Sequence, residues 1–338
     1  MTGFDATDAL ARTLVVVPCL DEERHIDGLL HQLRRIGGDA LVVVADGGST
    51  DGTLAIVARH AAADPRVRAL HNPRRIQSSA VNLAVRKHGE ARDVLIRLDA
   101  HSLYPDDYLD ILLAEQHRTG ASSVVVAIDT RGTAGLEAAN AAAQNSRLGN
   151  GGSPHRLGGE GRWVDHGHHA LMDIEAFRAV GGYDETFAHN EDAELDYRLR
   201  EAGYRIWLTG RTRALYVPRG TLGGLFRQYR NYGRGRAMNA LKHRVVPRLR
   251  QVLPLFVAPA AATGIAGILV LGLSPPLGLL LVAPVALWAL VCLAGGLWLA
   301  ARERCFAVAL SGVSAMAMHL GWSLGFWRQI GAAVGGRR

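Results

Sequence analysis

Charge is missing from one long stretch of this 338-residue chain: between Arg250 and Arg302 lie 51 residues without an Asp, Glu, Lys or Arg. A water-soluble domain does not leave so long a segment without a charged face, so a purely aqueous globule is excluded. Acids are missing from another stretch: residues 205–250 hold 12 basic side chains and no Asp or Glu, whereas residues 1–204 hold 21 basic and 30 acidic ones. The overall charge of +7 therefore averages an acidic head, a basic collar and a lightly positive tail. That placement points away from nucleic acid, because the basic excess abuts the apolar tail instead of covering a domain. Anionic lipid headgroups or a phosphate-bearing ligand suit it better. Cysteine is scarce, with only Cys19, Cys292 and Cys305 and no metal-ligand spacing, which excludes a disulfide framework and fits a reducing compartment. Residues 1–12 contain acids and no apolar run, so no cleavable signal is expected and everything before residue 250 is expected on the cytoplasmic side.

What is present has a regular order. Strands are predicted at residues 14–17, ended by Pro18, and 41–44, ended by Asp46-Gly47-Gly48, with a helix over 21–36 between them. Helices follow at 53–60 and 79–88, and strands at 67–70 and 94–98, the last ending at Asp99. Non-alternating Val/Leu runs separated by helices predict an α/β fold with a parallel sheet covered on both faces. In such sheets ligands bind at the carboxyl ends of the strands, which is where Pro18, Asp46 and Asp99 fall. The second half predicts a strand at 121–129, helices at 136–144, 173–180 and 192–202, and a strand at 204–208. The glycines of residues 145–161 predict a mobile loop.

The tail holds apolar segments at 252–273, 276–301 and 305–327, each longer than the roughly 20 residues needed to cross a bilayer. Arg244, Arg248 and Arg250 before the first, and Arg302 and Arg304 after the second, fit two crossings with both flanks in the cytoplasm. A third crossing would place Arg337 and Arg338 outside, so the last segment is expected to be re-entrant or tilted. The expected organisation is a cytosolic catalytic domain over 1–204, a membrane-proximal collar over 205–250 that completes the site, and transmembrane helices over 251–338.

Four pieces carry chemistry. Asp46-Gly47-Gly48-Ser49-Thr50-Asp51-Gly52-Thr53 follows a strand, and an acid beside glycines there can receive a nucleotide or form a simple capped turn. Asp99-Ala100-His101 places two potential ligands on alternate residues of an extended backbone, so both can reach one divalent cation. Glu191-Asp192 opens a helix in which Glu194 and Asp196 read as ordinary compensation of the helix dipole. Arg227, Arg230, Arg234 and Arg236 lie among Gln228, two tyrosines and two glycines. A membrane-proximal basic helix explains their charge but not the interleaved glycines. His166, His168 and His169 can supply another metal ligand or form a locally satisfied surface cluster.

In this order the pieces resemble inverting family 2 glycosyltransferases, whose nucleotide-sugar-binding, Rossmann-like sheet is called GT-A, and in particular their succinoglycan-type β-1,3-glucosyltransferase branch. The resemblance covers roughly residues 13–240. It rests on Val17-Pro18 with Asp21-Glu22, on residues 46–53, and on Arg97-Leu98-Asp99-Ala100-His101. Val180-Gly181-Gly182-Tyr183-Asp184-Glu185, residues 190–195, Tyr216-Val217-Pro218-Arg219 and residues 228–235 extend it. It implies that Asp46 binds the uracil or ribose of a UDP-sugar, that Pro18 and Glu22 line the base pocket, and that Asp192 is the catalytic base. Asp99 and His101 stand at the metal-binding Asp-x-Asp motif, with His101 replacing the second Asp, and imidazole is a good ligand for Mn²⁺. Another metal-using GT-A family also has Asp-x-His. Mn²⁺ or Mg²⁺ is thus the implied cofactor. Gln228, Arg230 and Arg234 are the implied donor-binding residues of the collar, the arginines neutralising the leaving diphosphate. The Gln-x-x-Arg-Trp motif of processive synthases is absent, since Asn231-Tyr232 stands there.

The expected activity is transfer of a hexose, glucose by this resemblance, to a hydroxyl of a polyprenyl-diphosphate-linked saccharide at the bacterial cytoplasmic membrane. In-line attack assisted by Asp192 would invert the anomeric configuration. Two competing readings are a polyprenyl-phosphate sugar synthase, which needs no hydroxyl acceptor, and a non-catalytic nucleotide-sugar-binding subunit of a membrane assembly.

Overall fold

The computed structural model describes residues 4–153 and 159–335. Its strands are β1 (Thr13–Cys19), β2 (Leu41–Asp46), β3 (Val67–His71), β4 (Val94–Arg97), β5 (Ser102–Leu103), β6 (Ser123–Thr130), β7 (Arg162–Val164), β8 (His168–Asp173) and β9 (Ile206–Tyr216). The helices of the first half are α1 (Ala6–Ala11), α2 (Ile26–Ile36), α3 (Thr53–Ala63), α4 (Gln77–His88), α5 (Tyr108–Thr119) and α6 (Gly135–Asn145). They continue with α7 (Ile174–Ala179), α8 (Glu191–Glu201), α9 (Leu222–His243), α10 (Val257–Val270), α11 (Pro275–Glu303) and α12 (Ser311–Gly335). The chain forms two compact units, one of Met1–Asp129 with Gly158–Tyr216 and the other of Thr130–Leu157 with Val217–Arg338.

The first unit is built on one sheet in the order β3-β2-β1-β4-β8-β6-β9-β5, with β7 beside β9. The Val/Leu runs pair as read from the sequence: β1 lies parallel between β2 and β4, and β3 parallel to β2. Successive β1 side chains enter opposite cores. Val15 and Val17 meet Leu30, Leu33, Leu109 and Leu112 from α2 and α5, while Leu14 and Val16 meet Val81, Val85 and Leu199 from α4 and α8. Each such side chain contributes about 1.5–3 kcal/mol through burial. The other half of the sheet corrects the all-parallel expectation, because β8 runs antiparallel to both β4 and β6. β8 opens with two histidines, which shorten its apolar signal, and the antiparallel direction delivers them beside the carboxyl end of β4.

Two further boundaries differ from the sequence reading. β1 continues through Pro18 to Cys19; its pairing with β4 stops at Val16, so the missing N–H falls where β1 is paired on one side only. α2 starts at Ile26 rather than near Asp21, because the acids that resemble a helix start are used elsewhere. Asp21 takes a left-handed backbone (φ 56°) and accepts the Thr50 N–H at 2.7 Å, and Glu23 accepts the Gly52 N–H at 2.8 Å.

In the second unit three segments, Leu249–Val270, Pro275–Glu303 and Phe306–Gly335, are long and apolar enough to cross a membrane. Glycines set their packing. A Cβ at Gly233 of α9 would overlap the Trp322 carbonyl of α12, and one at Gly325 would overlap the Arg230 carbonyl, so the two backbones touch. This accounts for glycine within the arginine-rich helix. Residues 147–150 of the expected mobile loop form one helical turn instead. The Leu148 carbonyl accepts a bond from His319 Nε2 at 2.9 Å, while His319 Nδ1 accepts the Trp288 indole N–H at 3.3 Å. Residues 154–158 of that loop lie outside the described residues.

Gly325→Leu should therefore separate α9 from α12 and cost about 1–3 kcal/mol or more. Thermal unfolding of the detergent-solubilised chain measures it, with Gly331→Ala, where an added Cβ meets nothing within 4 Å, expected to be neutral or slightly stabilising.

Candidate active site

The carboxyl ends of β1, β2 and β4 gather the residues singled out by the sequence. Asp46 ends β2 and is buried; its carboxylate accepts the N–H of Gly48 at 2.7 Å, the N–H of Ser49 at 3.1 Å and the Ser49 hydroxyl. Gly48 sits at φ +85°, a conformation that favours glycine and lets the loop close on the acid. Pro18, half-buried, pairs with Ala45 on the neighbouring strand.

Glu22 receives His101 Nδ1 on one carboxylate oxygen at 2.8 Å and His25 Nδ1 on the other at 2.9 Å. Burial alone would raise the Glu22 carboxyl, but the bond from His101 and that from His25 bring it below its ordinary value. With Nδ1 on Glu22, His101 is in the carboxylate–imidazole arrangement that orients metal ligands. Asp99 accepts one bond from Gln77 at 2.8 Å, and its other oxygen lies 3.7 Å from His168 Nε2. Burial, then the charge of Arg97, holds His168 down at about 4, so it is the neutral imidazole that metals require. Asp99, His101 and His168 are of the ligand types that divalent cations take, but the three do not bring one ligand atom each within 4.8 Å of one another. A separate group on α2 and α3, Asp27 with His31 and His60, brings its ligand atoms within 4.8 Å of one another, and Arg59 donates to the same Asp27 oxygen at 2.6 Å.

Arg97, the last residue of β4, is the centre of the site and only 4% exposed. Its guanidinium grips Asp192 with two N–H donors at 2.7 and 3.3 Å and lies 3.6 Å from Glu191 and 3.8 Å from Asp99. Asp192 is carried by the first turn of α8, after Asn190 turns the chain at φ +63°. It also accepts the Tyr183 hydroxyl at 3.2 Å and has His169 Nδ1 at 3.3 Å and His168 Nδ1 at 3.7 Å. Burial alone would raise its carboxyl, but Arg97, then His169 and His168, hold it well below the usual range. Glu191 goes the other way: burial, then repulsion from Asp192, pushes it up to about 7.

A second layer supports this pair. Asp196 is fully buried and takes His169 Nε2 at 2.7 Å, His166 Nδ1 at 3.0 Å and the Gly167 N–H at 3.1 Å. Glu194 is likewise buried and bonds Arg198 at 2.6 Å. Neither is the solvent-facing dipole compensator expected from the sequence, and the three histidines are not a surface cluster: α8 is packed against the sheet, so its inward acids need internal partners. Sequence reasoning left Arg97 and Tyr183 without a role and read Asp196 only as dipole compensation. The signals were an arginine closing a buried strand and three histidines upstream of an acid-rich helix.

Asp99 and Asp192 are therefore brought together through Arg97 and His168, and Glu22 with His101, while Asp46 serves its own loop. Gln228, Arg230 and Arg234 belong to the second unit, on α9. There Gln228 donates to the Tyr232 hydroxyl at 3.0 Å, the Arg230 backbone lies against Gly325, and Arg234 donates to Gln329 of α12 at 3.2 Å.

The profile described as glycosyl transferase family 2 matches residues 14–181. The chain is 54% identical over 329 residues to the succinoglycan biosynthesis protein ExoA of Rhizobium meliloti (strain 1021), covering 96% of this chain and 97% of that one. Among solved structures it resembles the mannosyltransferase PcManGT of Pyrobaculum calidifontis, determined with GDP-Man and Mn²⁺, at a TM-score of 0.57 and 20% identity, covering 94% of this chain and 87% of the other. A mycobacterial protein matches with a TM-score of 0.51 and 14% identity, over 72% of this chain and 80% of its own. These two likenesses concern the fold.

Removing the central charge tests the geometry. Arg97→Met leaves Asp192 buried without its partner, and full-chain unfolding should show a loss of about 3–5 kcal/mol. Arg97→Lys keeps the charge but not the two-pronged grip, and should lose less.

Proposed function

Because the chain belongs to glycosyltransferase family 2, we propose that it moves a hexose, glucose by the sequence reading, from UDP to a hydroxyl of a polyprenyl-diphosphate-linked saccharide. The setting of this reading is exopolysaccharide assembly at a bacterial cytoplasmic membrane, with the first unit in the cytoplasm. The extent of identity to a succinoglycan biosynthesis protein supports the setting, and the three long apolar helices support the membrane. The observation that carries the chemistry is the Asp192 carboxylate, kept ionised by Arg97 at the mouth of α8 and joined to Asp99 across His168.

In this reading Asp46, Pro18 and Glu22 receive the nucleoside. Asp99 and His101, with His168 beside them, would hold a divalent cation, Mn²⁺ or Mg²⁺, which would supply Lewis-acid neutralisation of charge on the diphosphate. Asp192 accepts the acceptor's hydroxyl proton as the oxygen attacks the anomeric carbon opposite the leaving group, which inverts configuration. Tyr183 and His169 fix the carboxylate's orientation, and Asp196 fixes His169.

One observation favours a second assignment of the base. A carboxylate gripped by a buried guanidinium has weak proton affinity, whereas Glu191 beside it is pushed up to about 7, near the working pH of a general base.

The two assignments separate cleanly in kinetics. With Asp192 as base, Asp192→Asn lowers transfer about 10²–10⁴-fold at every pH, and Glu191→Gln keeps most activity. If instead Glu191→Gln carries that loss, and the wild-type rate falls with protonation as pH drops below about 7, the Asp192 assignment fails. The donor is tested by incubating the full chain in membranes with a panel of nucleotide sugars, polyprenyl-linked acceptors and Mn²⁺ or Mg²⁺. Nucleoside diphosphate release with a UDP-hexose alone is the expected result, and turnover of another donor class instead overturns the UDP-hexose reading.

A further inference from the structure

The second unit contains a half-buried cation that no acid meets among the described residues. Arg236 on α9 is half-buried, and its Nε is enclosed with no hydrogen-bond partner. No ion pair or hydrogen bond joins it to any described residue. One turn further along the same face, the buried Asn239 amide has an Nδ2 that is also enclosed and unpartnered. A second cation, Arg250, is close enough for its charge to repel that of Arg236. Arg250 spends one N–H on the Gly152 carbonyl at 3.3 Å. The only acids in this unit's sequence are Glu137 and Glu303. Glu137 is matched with the Thr133 hydroxyl at 3.2 Å, and no ion pair links either acid to Arg236 or Arg250 among the described residues.

Such an arrangement is costly as it stands. A guanidinium withdrawn from water costs several kcal/mol unless an anion or acceptors meet it, and a second like charge adds to the cost. Burial, then Arg250, pulls the Arg236 guanidinium down to about 10, in the direction that an unmet charge requires. The glycine contacts of α9 with α12 leave Arg236 little freedom to swing out, because Gly233 is pressed on the Trp322 backbone and Ala237 lies in the cluster of Leu255 and Phe326. What satisfies two guanidinium groups and an amide donor together is a compact group rich in acceptor oxygens with negative charge. Arg250 is the second residue of the apolar segment Leu249–Val270, so that group lies at headgroup level if the segment crosses a membrane.

We propose that Arg236, Arg250 and Asn239 form a binding site for a phosphoryl anion. It deepens the reading of a lipid-diphosphate acceptor given above, since it would fix the phosphates of that lipid, yet it stands on unpaired donors and does not need that reading to be right. The site is distinct from Arg230 and Arg234, of which the latter is held by Gln329.

The test uses the full chain in a phosphate-free neutral detergent with EDTA present, so that metal-dependent nucleotide binding is silent. Thermal unfolding is followed against inorganic pyrophosphate and, separately, farnesyl diphosphate. Stabilisation is expected with at least one ligand, with an apparent affinity about tenfold or more weaker in Arg236→Gln and unchanged in Arg227→Gln, an exposed arginine of the same helix. A stronger response to farnesyl diphosphate assigns the site to a lipid-borne phosphate, and an equal response to pyrophosphate assigns it to a free one. Arg236→Gln should also raise the melting temperature of the unliganded chain, because it removes an unmet charge, whereas loss of an ordinary structural arginine lowers it. Arg236→Lys, which keeps the charge, and Asn239→Ala, which removes the amide, give the same comparison should Arg236→Gln fail to fold. No stabilisation of the wild type by either ligand, or stabilisation that survives in Arg236→Gln, overturns the proposal.

Discussion

The first unit depends on a single buried guanidinium. Arg97 closes β4 at the carboxyl edge of the sheet, where β1 and β2 also end, and Asp99, Glu191 and Asp192 are grouped around it. Arginine cannot shed its proton to escape burial, so the surrounding groups must adjust instead. Asp192 and Asp99 stay ionised, His168 stays neutral, and Glu191, where burial and then repulsion from Asp192 outweigh Arg97, is driven up. One fixed charge thereby separates two adjacent carboxyls, Glu191 and Asp192, into different protonation behaviour. Such a separation lets neighbouring groups take different roles in acid–base chemistry.

The second half of the sheet turns antiparallel at β8. This strand begins beside the carboxyl end of β4 with His168 and His169, so one strand both seals the sheet and contributes imidazoles to Arg97's acids. Asp196 then holds His169 from behind, and burial of this His–Asp pair ties the register of β8 to the position of α8.

Much of this was legible in the residues. Runs such as Leu14-Val15-Val16-Val17, separated by helices, point to strands covered on both faces, and a parallel sheet of them places Asp46 and Asp99 at one edge. The family resemblance rested on short motifs at that edge, and the match over residues 14–181 agrees with it. What was not legible depends on which face a helix buries. Acids in the first turns of α8 read equally well as dipole compensation in water or as buried partners of histidines. Only packing decides, and it put Glu194 and Asp196 inside. Asp21 and Glu23 misled in the opposite way, since they mimic a helix start but bind the N–H groups of a loop 29 residues away. The glycines among the collar arginines had no explanation until the contact between the α9 and α12 backbones supplied one.

Arg97 and Arg236 make an informative contrast. Arg97 has carboxylates on its guanidinium, and its burial is matched within the fold. Arg236 has none, in a unit whose sequence holds 2 acids. A fold that merely tolerated a basic helix near a membrane would turn its arginines outward, as Arg227 is turned, because water solvates them at no cost. The backbone contacts at Gly233 and Gly325 fix the part of α9 that carries Arg236 against α12. Holding an unmet charge in place lowers stability in the free protein and raises the affinity for whatever anion meets it, since the donors are already desolvated and oriented. In the first unit the compensating charges are part of the chain, and in the second they have to arrive with a ligand.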